Sequence, residues 1–260
     1  MPTVHLERPS AHVVTLVLDD APRKNAMSPE LGDALRARVE ELRGDDSLRA
    51  VVLTGAGDAF SAGGDLAMLE RLRASTREES RAFMLGFYAR YLSVLELGVP
   101  VIAAVVGPAI GAGLCVALAC HVLVVDGGAK LALNFTSLGL HPGMGATYLV
   151  PRRLGVDRAA ELLLTGRRFS GSALAGWGGA LEARPASEVR ERAEELAATI
   201  AAQGPLAVRA LATSLGPDRA ALQAALEREA SEQAQSYASW DLGEGLRAAA
   251  EKRKPSFQGR

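Results

Sequence analysis

Two Gly-rich turns decide the fold of this chain: Phe60-Ser61-Ala62-Gly63-Gly64-Asp65-Leu66 and Gly107-Pro108-Ala109-Ile110-Gly111-Ala112-Gly113-Leu114. Each turn follows an apolar, β-branched run, at residues 50–54 and 101–106, that is typical of a buried strand. Each turn also leads into a pattern that is typical of a helix. The sequence therefore predicts two strand–turn–helix units, which favours an α/β fold with βαβ connections.

Small residues at both turns leave backbone N–H groups uncovered. Glycine adopts backbone conformations that other residues avoid, and the missing side chains let a bound group come close to the backbone. If the two turns face one point, their N–H groups form a two-donor site for an oxyanion at a helix N-terminus. Such a site stabilises a thioester enolate or a tetrahedral oxyanion. Each turn taken alone is also typical of an ordinary strand-to-helix connection.

Length and composition are those of an ordinary globular protein. The chain has 260 residues, of which 48% are hydrophobic and 23% charged, and its formal net charge is −1. This balance gives no reason to expect a nucleic-acid partner or binding to an anionic membrane surface. The longest apolar stretch, residues 99–119, is broken by prolines and glycines, so it is typical of strand, turn and buried helix rather than of a membrane span.

Cysteine usage and the N-terminus favour a cytoplasmic protein. Cys115 and Cys120 are the only cysteines, and they lie five residues apart on a predicted helix, so we expect reduced, buried thiols. The first residues do not join a basic segment to an apolar one, so no signal peptide is predicted. No cluster of His, Cys and carboxylates has the spacing of a metal site, and no phosphate-binding loop or dinucleotide fingerprint occurs.

Caps and breakers mark the helices and strands along the chain. Ser28 and Pro29 predict a helix start, and Gly44 predicts its end. Asp65 is placed to cap a later helix. Strands are predicted at residues 3–8, 12–19, 50–54, 101–106 and 121–126, a short extended piece at 130–134, helices at 65–73 and 77–97, and a largely helical chain after Pro142.

Further motifs flank the two Gly-rich turns. Arg23-Lys24-Asn25-Ala26-Met27 precedes them, and Pro142-Gly143-Met144-Gly145-Ala146-Thr147 and Glu251-Lys252-Arg253-Lys254-Pro255-x-Phe257 follow. In this order, over almost the whole chain, the motifs resemble those of the enoyl-CoA hydratase/isomerase (crotonase) family. The resemblance implies a crotonase-like spiral of ββα units, with an α/β core over residues 1–200 and a C-terminal helical trimerisation region over residues 201–260. It also implies a homotrimer or a dimer of trimers.

The resemblance further implies where an acyl-CoA thioester binds. By position in the motifs, the backbone N–H groups of Gly64 and Ala112 hold the thioester carbonyl oxygen. Coenzyme A is then part of the substrate, and no separate cofactor is expected. The residues that line the adenine and pantetheine path, with a lysine close to a CoA phosphate at the end, are Lys24, Ala26, Ala62, Asp65, Leu66 and Lys252.

Both glutamates that hydrate enoyl-CoA in this family are absent. In family members that add water, one glutamate lies in the helix after the second Gly turn and another lies before the Pro-Gly motif. Those positions hold Cys115 and Phe135 here. Phenylalanine cannot move a proton, and a thiol in an apolar helix has a raised pKa and is usually inert. Hydration by paired glutamates is therefore not expected.

His141, directly before Pro142, is the remaining candidate for proton transfer. A neutral imidazole there could take an α- or γ-proton while Gly64 and Ala112 hold the enolate. Alternatively, His141 caps the helix or bonds a backbone carbonyl. The favoured reaction is double-bond isomerisation or an atypical hydration or dehydration.

Three other functions stay open. Decarboxylation of a carboxylated acyl thioester generates the enolate without a base, but residues 66–80 contain no lysine to bind the carboxylate, so Arg71, Arg73 or Arg77 would substitute. Hydrolysis of a thioester would use the same oxyanion site, although no nucleophile or water-activating carboxylate is visible. A non-catalytic acyl-CoA-binding protein would keep the fold and the oxyanion site without turnover.

Overall fold

The computed structural model describes all 260 residues as alternating strands and helices that end in a helical segment. The strands are β1 (Thr3–Ser10), β2 (Val13–Asp19), β3 (Ala50–Gly55), β4 (Val101–Val105), β5 (Ala109–Ile110), β6 (Val122–Asp126), β7 (Lys130–Ala132), β8 (Arg168–Ser170) and β9 (Glu182–Arg184). The helices are α1 (Pro29–Arg43), α2 (Leu66–Leu72), α3 (Arg77–Leu92), α4 (Ala112–Ala119), α5 (Ala146–Leu154), α6 (Val156–Thr165), α7 (Gly171–Gly176), α8 (Ala186–Ala201), α9 (Pro205–Leu215), α10 (Arg219–Tyr237) and α11 (Trp240–Ala250).

The strands form one large and one small sheet. The large sheet has the order β1-β2-β3-β4-β6-β9, and all its neighbours are parallel except β1 and β2. The small sheet has the order β5-β7-β8. Because β3 and β4 are parallel neighbours, the turns that follow them leave the same edge of the sheet. This topology brings the two Gly-rich turns together.

Both faces of the large sheet are covered, which explains the continuous apolar runs of its strands. Successive residues of a strand point to opposite faces. On β3, Val51 and Leu53 face the main core, whereas Ala50 and Val52 face α8. Helix α8 presents a stripe of small and β-branched residues at a spacing of four, which suits close packing on a sheet. The stripe consists of Val189, Ala193, Ala197 and Ala201.

Local signals in the sequence predicted several element boundaries correctly. Helix α1 begins at Pro29, the Ser28 hydroxyl accepts a hydrogen bond from the Leu31 backbone N–H at 3.3 Å, and Gly44 ends the helix. The Asp65 carboxylate caps α2 by accepting from the Met68 N–H at 2.8 Å. The predicted α/β order up to residue 140 is therefore confirmed.

Three short elements differ from the prediction. Strands β8 and β9 lie in the region that was expected to be helical, and residues 93–97 form a 3-10 turn rather than a continuation of α3. Strand β9 adds a parallel edge to the large sheet beside β6. A three-residue strand carries too few positions for a period-two pattern, so its pairing partners determine it.

The C-terminal helices lie against the earlier part of the chain. Helix α10 packs along α3, and α11 packs near the 3-10 turn at Thr136–Leu138. None of the helices combines the length and the apolar character that a membrane crossing requires. The division at residue 200 and the trimerisation role of residues 201–260 stay predictions.

Candidate active site

The two Gly-rich turns are bonded to each other. Ser61 and Ala109 form a parallel bridge, in which the Ser61 N–H donates to the Pro108 carbonyl at 3.1 Å and the Ile110 N–H donates to the Ser61 carbonyl at 3.0 Å. Packing at this contact requires glycine. A Cβ on Gly63, where φ is +87°, would lie 2.6 Å from the Ile110 carbonyl oxygen, and a Cβ on Gly113 would lie 2.6 Å from the Ser61 Cβ.

The backbone N–H groups of Gly64 and Ala112, both at this junction, have no acceptor. Their neighbours are bonded: the Gly63 N–H donates to the Ser61 hydroxyl at 3.2 Å, and the Gly111 N–H donates to the Ala132 carbonyl at 2.8 Å. Ala112 is the first residue of α4, whose N-terminus has no side-chain cap. Unpaired donors and the positive end of a helix dipole both favour a negatively charged oxygen.

Gly64 and Ala112 line the same cavity, which measures about 380 Å³. Its wall is mostly apolar, with Phe135 and Met84 among the contributors. Asp65 is the only charged side chain that lines it. A cavity of this size and character can enclose a small acyl group and leave its carbonyl oxygen beside the two free donors. The polar side chains of the wall are Asp65, Tyr88, Asn134, Gln233 and Tyr237.

The predicted CoA-path residues divide into two groups. Ala26, Ala62, Asp65 and Leu66 line the cavity together with Gly64 and Ala112. The two lysines do not. Lys24 is exposed and forms an ion pair with Asp58 at 3.6 Å, and Lys252 is exposed three residues beyond Ala249, which lines the cavity.

His141 does not reach this cavity, which corrects the sequence-based candidate. Its ring lines a separate surface pocket with Thr147 and Phe257, and its Nδ1 lies 2.7 Å from the Pro142 carbonyl oxygen. The alternative role, a bond to a backbone carbonyl, is the one observed. The His141 carbonyl does serve the site indirectly, because it accepts a hydrogen bond from Gln233 Nε2 at 2.9 Å.

The two positions that hold glutamates in hydrating members lie at or next to the cavity, and neither can carry a proton here. Phe135 forms part of the wall, with its ring 3.7 Å from the point where a Cβ on Gly111 would lie. The Cys115 thiol is fully buried one turn after Ala112, and burial raises its pKa well above the ordinary value. The carboxylate of Glu229 adds to that rise.

A buried polar chain, which sequence reasoning missed, crosses the cavity wall. The Tyr88 hydroxyl on α3 donates to Gln233 Oε1 on α10 at 2.7 Å. Burial raises the pKa of Tyr88 well above its ordinary value, and the nearby Glu229 carboxylate raises it further. Tyr88 is therefore a neutral hydroxyl near pH 7. No local signal marks these residues, because an aromatic residue on a helix face is typical of core packing.

Glu229 holds the turn that completes the cavity wall. Its buried carboxylate accepts from the Gly145 N–H at 2.7 Å, the Thr147 N–H at 2.7 Å and the Thr147 hydroxyl at 2.6 Å. These donors belong to the start of α5, so Glu229 caps a helix from a distant element. Gly143 and Met144, just before this cap, line the cavity.

The sequence of this chain is similar to those of known proteins over most of its length. The sequence model described as enoyl-CoA hydratase/isomerase matches residues 8–260. An enoyl-CoA isomerase/hydratase of Zymoseptoria tritici is 36% identical over 275 residues, covering 97% of this chain and 86% of that protein. Carnitinyl-CoA dehydratase of Proteus mirabilis is 35% identical over 200 residues, covering 76% of this chain and 75% of that protein.

A solved structure extends the likeness to the fold. The crystal structure of an enoyl-CoA hydratase/isomerase from Pseudoalteromonas atlantica matches with a TM-score of 0.86 and 28% identity, over 98% of this chain and 100% of the other. The family match and the shared fold cover almost the whole chain, and they agree with the order of motifs around the two Gly-rich turns. The chain belongs to the enoyl-CoA hydratase/isomerase, or crotonase, family.

Proposed function

We propose that this chain is an acyl-CoA enzyme that stabilises a thioester enolate between the backbone N–H groups of Gly64 and Ala112. The observation that carries the proposal is that these two donors have no acceptor in the protein and line one cavity. Each donor bonds more strongly to an enolate oxygen than to a thioester carbonyl oxygen, because charge develops there during the reaction. The N-terminus of α4 adds the field of its dipole.

We infer that the reaction is isomerisation of a double bond or an atypical hydration or dehydration, in which water in the cavity takes up and returns the proton of the α- or γ-carbon. Hydration by paired glutamates is excluded at the positions of Cys115 and Phe135, because neither side chain transfers a proton there. Tyr88 and Tyr237 line the cavity as neutral hydroxyls, since burial raises both pKa values. The similarity to carnitinyl-CoA dehydratase of Proteus mirabilis supports dehydration among these reactions.

Decarboxylation of a carboxylated acyl thioester is the second candidate. One observation favours it, namely that the cavity wall offers no free carboxylate to act as a base. Asp65 is the only charged group of the wall, and its carboxylate is already bonded to the Met68 N–H and to Arg23. Loss of carbon dioxide forms an enolate without a base. Against it, no lysine or arginine lines the cavity to bind the substrate carboxylate.

Mass spectrometry of thioesters incubated with the protein in heavy water tests the proposal. The panel holds crotonyl-CoA, a 3-enoyl-CoA, 3-hydroxybutyryl-CoA and methylmalonyl-CoA. A shifted double bond, loss of water or uptake of deuterium supports the first candidate, whereas loss of carbon dioxide supports the second. Hydration of crotonyl-CoA at the rate of a glutamate-bearing family member would contradict the account. Binding of every thioester without any mass change would favour a non-catalytic acyl-CoA-binding protein.

A further inference from the structure

Ser61 is buried at the point where the two Gly-rich turns meet, and it contacts both of them. Its backbone is bonded to the second turn through the Pro108 carbonyl and the Ile110 N–H, as described above. Its side chain packs on Gly113, where an added Cβ would lie 2.7 Å from the Ser61 Oγ. Gly113 directly follows Ala112 in α4. Ser61 therefore fixes the second turn, with its unpaired donor, against the first turn.

The Ser61 hydroxyl also takes part in the hydrogen bonding of the first turn. It accepts from the Gly63 N–H at 3.2 Å and donates to the Asn25 carbonyl at 2.8 Å, so it is donor and acceptor at once. Three other N–H groups of this turn donate to backbone carbonyls, namely those of Ser61, Ala62 and Asp65. Over residues 61–65, the Gly63 N–H thus depends on a side chain, and the Gly64 N–H is left for a ligand.

Gly63 lies between two peptide groups that are each held by one hydrogen bond. Its φ is +87°, and a glycine backbone is not restricted by a side chain. The Ser61 hydroxyl holds the peptide group before Gly63. The Met27 N–H holds the peptide group after it by donating to the Gly63 carbonyl at 2.7 Å. Because this peptide is planar and trans, the Gly64 N–H points away from Met27. The two bonds together give the Gly64 donor one direction.

Asn25 provides a fixed acceptor for the Ser61 hydroxyl. It is buried, and its φ of +53° lies in the left-handed region, which asparagine tolerates better than most residues. Its amide oxygen accepts from the Asp20 N–H at 2.8 Å, and its amide nitrogen donates to the Ala56 and Ala59 carbonyls at 2.9 Å and 2.7 Å. Through Asn25, the hydroxyl is tied to the loops that follow β2 and β3.

We propose that Ser61 is a positioning residue whose hydroxyl fixes the Gly64 donor relative to the Ala112 donor, so that one ligand oxygen bonds to both. This inference rests on the proposed function, because it requires a thioester oxygen between the two donors. Ser61 lies outside the cavity wall and acts through Gly63. Donors stabilise a developing charge best when they are oriented before the charge forms. Loss of the hydroxyl should therefore weaken polarisation of the thioester more than it weakens binding.

The ultraviolet spectrum of bound 2,4-hexadienoyl-CoA tests this assignment. Hydrogen bonds to its thioester carbonyl polarise the conjugated chain and move the absorption band to longer wavelength. Spectra of saturated protein are recorded by stopped flow, before any turnover. The wild type should show the shift. Ser61→Ala should lose about half of it, because one of the two donors loses its direction. The dissociation constant of the ligand should change by less than about 10-fold.

Ser61→Cys is the conservative variant, because a thiol is a weaker donor and acceptor of similar size. It should show a shift between those of the wild type and Ser61→Ala, and it carries the test if Ser61→Ala does not fold by circular dichroism. Ser93→Ala is the matched control. Ser93 is also a buried serine, its hydroxyl donates to the Arg90 carbonyl at 2.7 Å, and it lies outside the cavity wall. It should keep the full shift.

The outcomes separate the assignment from the proposed function. A full shift in the folded, saturated Ser61 variant, or an equal loss of shift in Ser93→Ala, would overturn the role of Ser61 and leave the proposed function standing. Binding of the ligand by the wild type without any shift would overturn the proposed function and the assignment together. Absence of binding by the wild type would also overturn both.

Discussion

At the scale of single residues, the candidate site combines unpaired backbone donors with two side chains, at the glutamate positions of hydrating relatives, that cannot carry protons. Gly64 and Ala112 offer free N–H groups, whereas Cys115 and Phe135 occupy the glutamate positions of hydrating relatives. The Cys115 thiol is fully buried, and this burial raises its pKa. The negative charge of the Glu229 carboxylate raises the pKa of the thiol further. The environment around position 115 is therefore unsuited to a second negative charge.

Restoring a carboxylate at position 115 should destabilise the fold. We expect Cys115→Glu to be less stable at pH 7 than the equally large, neutral Cys115→Gln by about 3 kcal/mol, because the new charge is buried near Glu229. Burial raises the pKa of such a carboxyl in the folded state, so the folded protein binds the extra proton more readily than the unfolded one. The difference in unfolding free energy between the two variants should shrink as the pH falls through that raised pKa. It should vanish below about pH 4.3, the ordinary pKa of glutamate.

Urea unfolding of both variants between pH 4 and pH 8 measures this difference. Equal stabilities of Cys115→Glu and Cys115→Gln across that range would show that position 115 tolerates the charge. The two variants share the larger side-chain volume, so the cost of overpacking cancels in the comparison.

The two backbone donors predicted from the sequence line one cavity in the structure, whereas the polar side chains of the cavity wall were not predicted. Gly64 and Ala112 were found because small residues at a turn have a direct physical meaning. His141 was selected for its chemistry, yet its ring turns to the Pro142 carbonyl and lines a different pocket. Asn134 carries no local pattern that separates it from an ordinary loop asparagine, since its exposure to the cavity depends on packing by distant elements.

At the scale of elements, one buried carboxylate joins α10 to the start of α5. Glu229 is the acceptor for three donors of Gly145 and Thr147, and the turn that it holds contributes Gly143 and Met144 to the cavity wall. Burial raises the pKa of Glu229, although its hydrogen bonds oppose the rise. The shape of the cavity thus depends on a cap that lies more than eighty residues away in sequence.

Removal of this cap should weaken the protein in a pH-dependent way. We expect Glu229→Ala to lose about 3 kcal/mol of unfolding free energy because three donors lose their acceptor, and Glu229→Gln to lose less because one acceptor oxygen remains. The raised pKa means that the folded wild type binds a proton more readily than the unfolded chain. The wild type should therefore gain stability relative to Glu229→Gln as the pH falls from 7 toward 4.5.

Guanidinium unfolding at several pH values measures this effect. The unfolding free energies are compared where the wild type and the variants show the same dependence on denaturant concentration. A constant difference between the wild type and Glu229→Gln over that range would refute the raised pKa. Stability unchanged in Glu229→Ala would refute the capping role itself.

Boundaries of elements were predictable where a cap or a breaker specifies them. Ser28 with Pro29 marked the start of α1, and Asp65 marked the start of α2. Strands β8 and β9 were not predictable, because three residues in each give no periodic signal and their hydrogen-bond partners lie on β7 and β6. Tertiary pairing, rather than local propensity, produces such strands.

At the scale of the whole molecule, the motif order predicted the family and the fold because the motifs are backbone features spread along the chain. The cavity was less predictable, since its wall joins α3, α4, the segment after β7 and α10. Only the folded arrangement brings Tyr88 to Gln233 or aims Asn134 at the second Gly turn. Polar contacts of this kind depend on long-range packing that no local pattern encodes.

Exposed apolar side chains on α9 support the predicted oligomer. Leu206, Leu211 and Leu215 are 84%, 56% and 60% exposed, and large apolar side chains so exposed are typical of an interaction surface. We expect the wild type to have the mass of a homotrimer or a dimer of trimers by light scattering, and Leu206→Glu combined with Leu211→Glu to lower that mass.

Leu181→Glu is the control for this oligomer test, because Leu181 is 59% exposed but lies outside residues 201–260. Its mass should equal that of the wild type. A monomeric wild type would contradict the oligomer, and an unchanged mass in the α9 variant would exclude that helix from the interface.

The Ala112 N–H, together with that of Gly64, is expected to stabilise an enolate, and acetoacetyl-CoA tests this role most directly because its enolate forms without a catalytic base. Ala112 is the first residue of α4, where proline is tolerated, so Ala112→Pro removes the donor and Ala112→Gly keeps it. Ultraviolet titration should show that the wild type and Ala112→Gly lower the pH midpoint of enolate formation by about 2 relative to free ligand, and that Ala112→Pro loses most of this shift. An equal midpoint for Ala112→Pro and the wild type, with both proteins folded and saturated, would contradict the account.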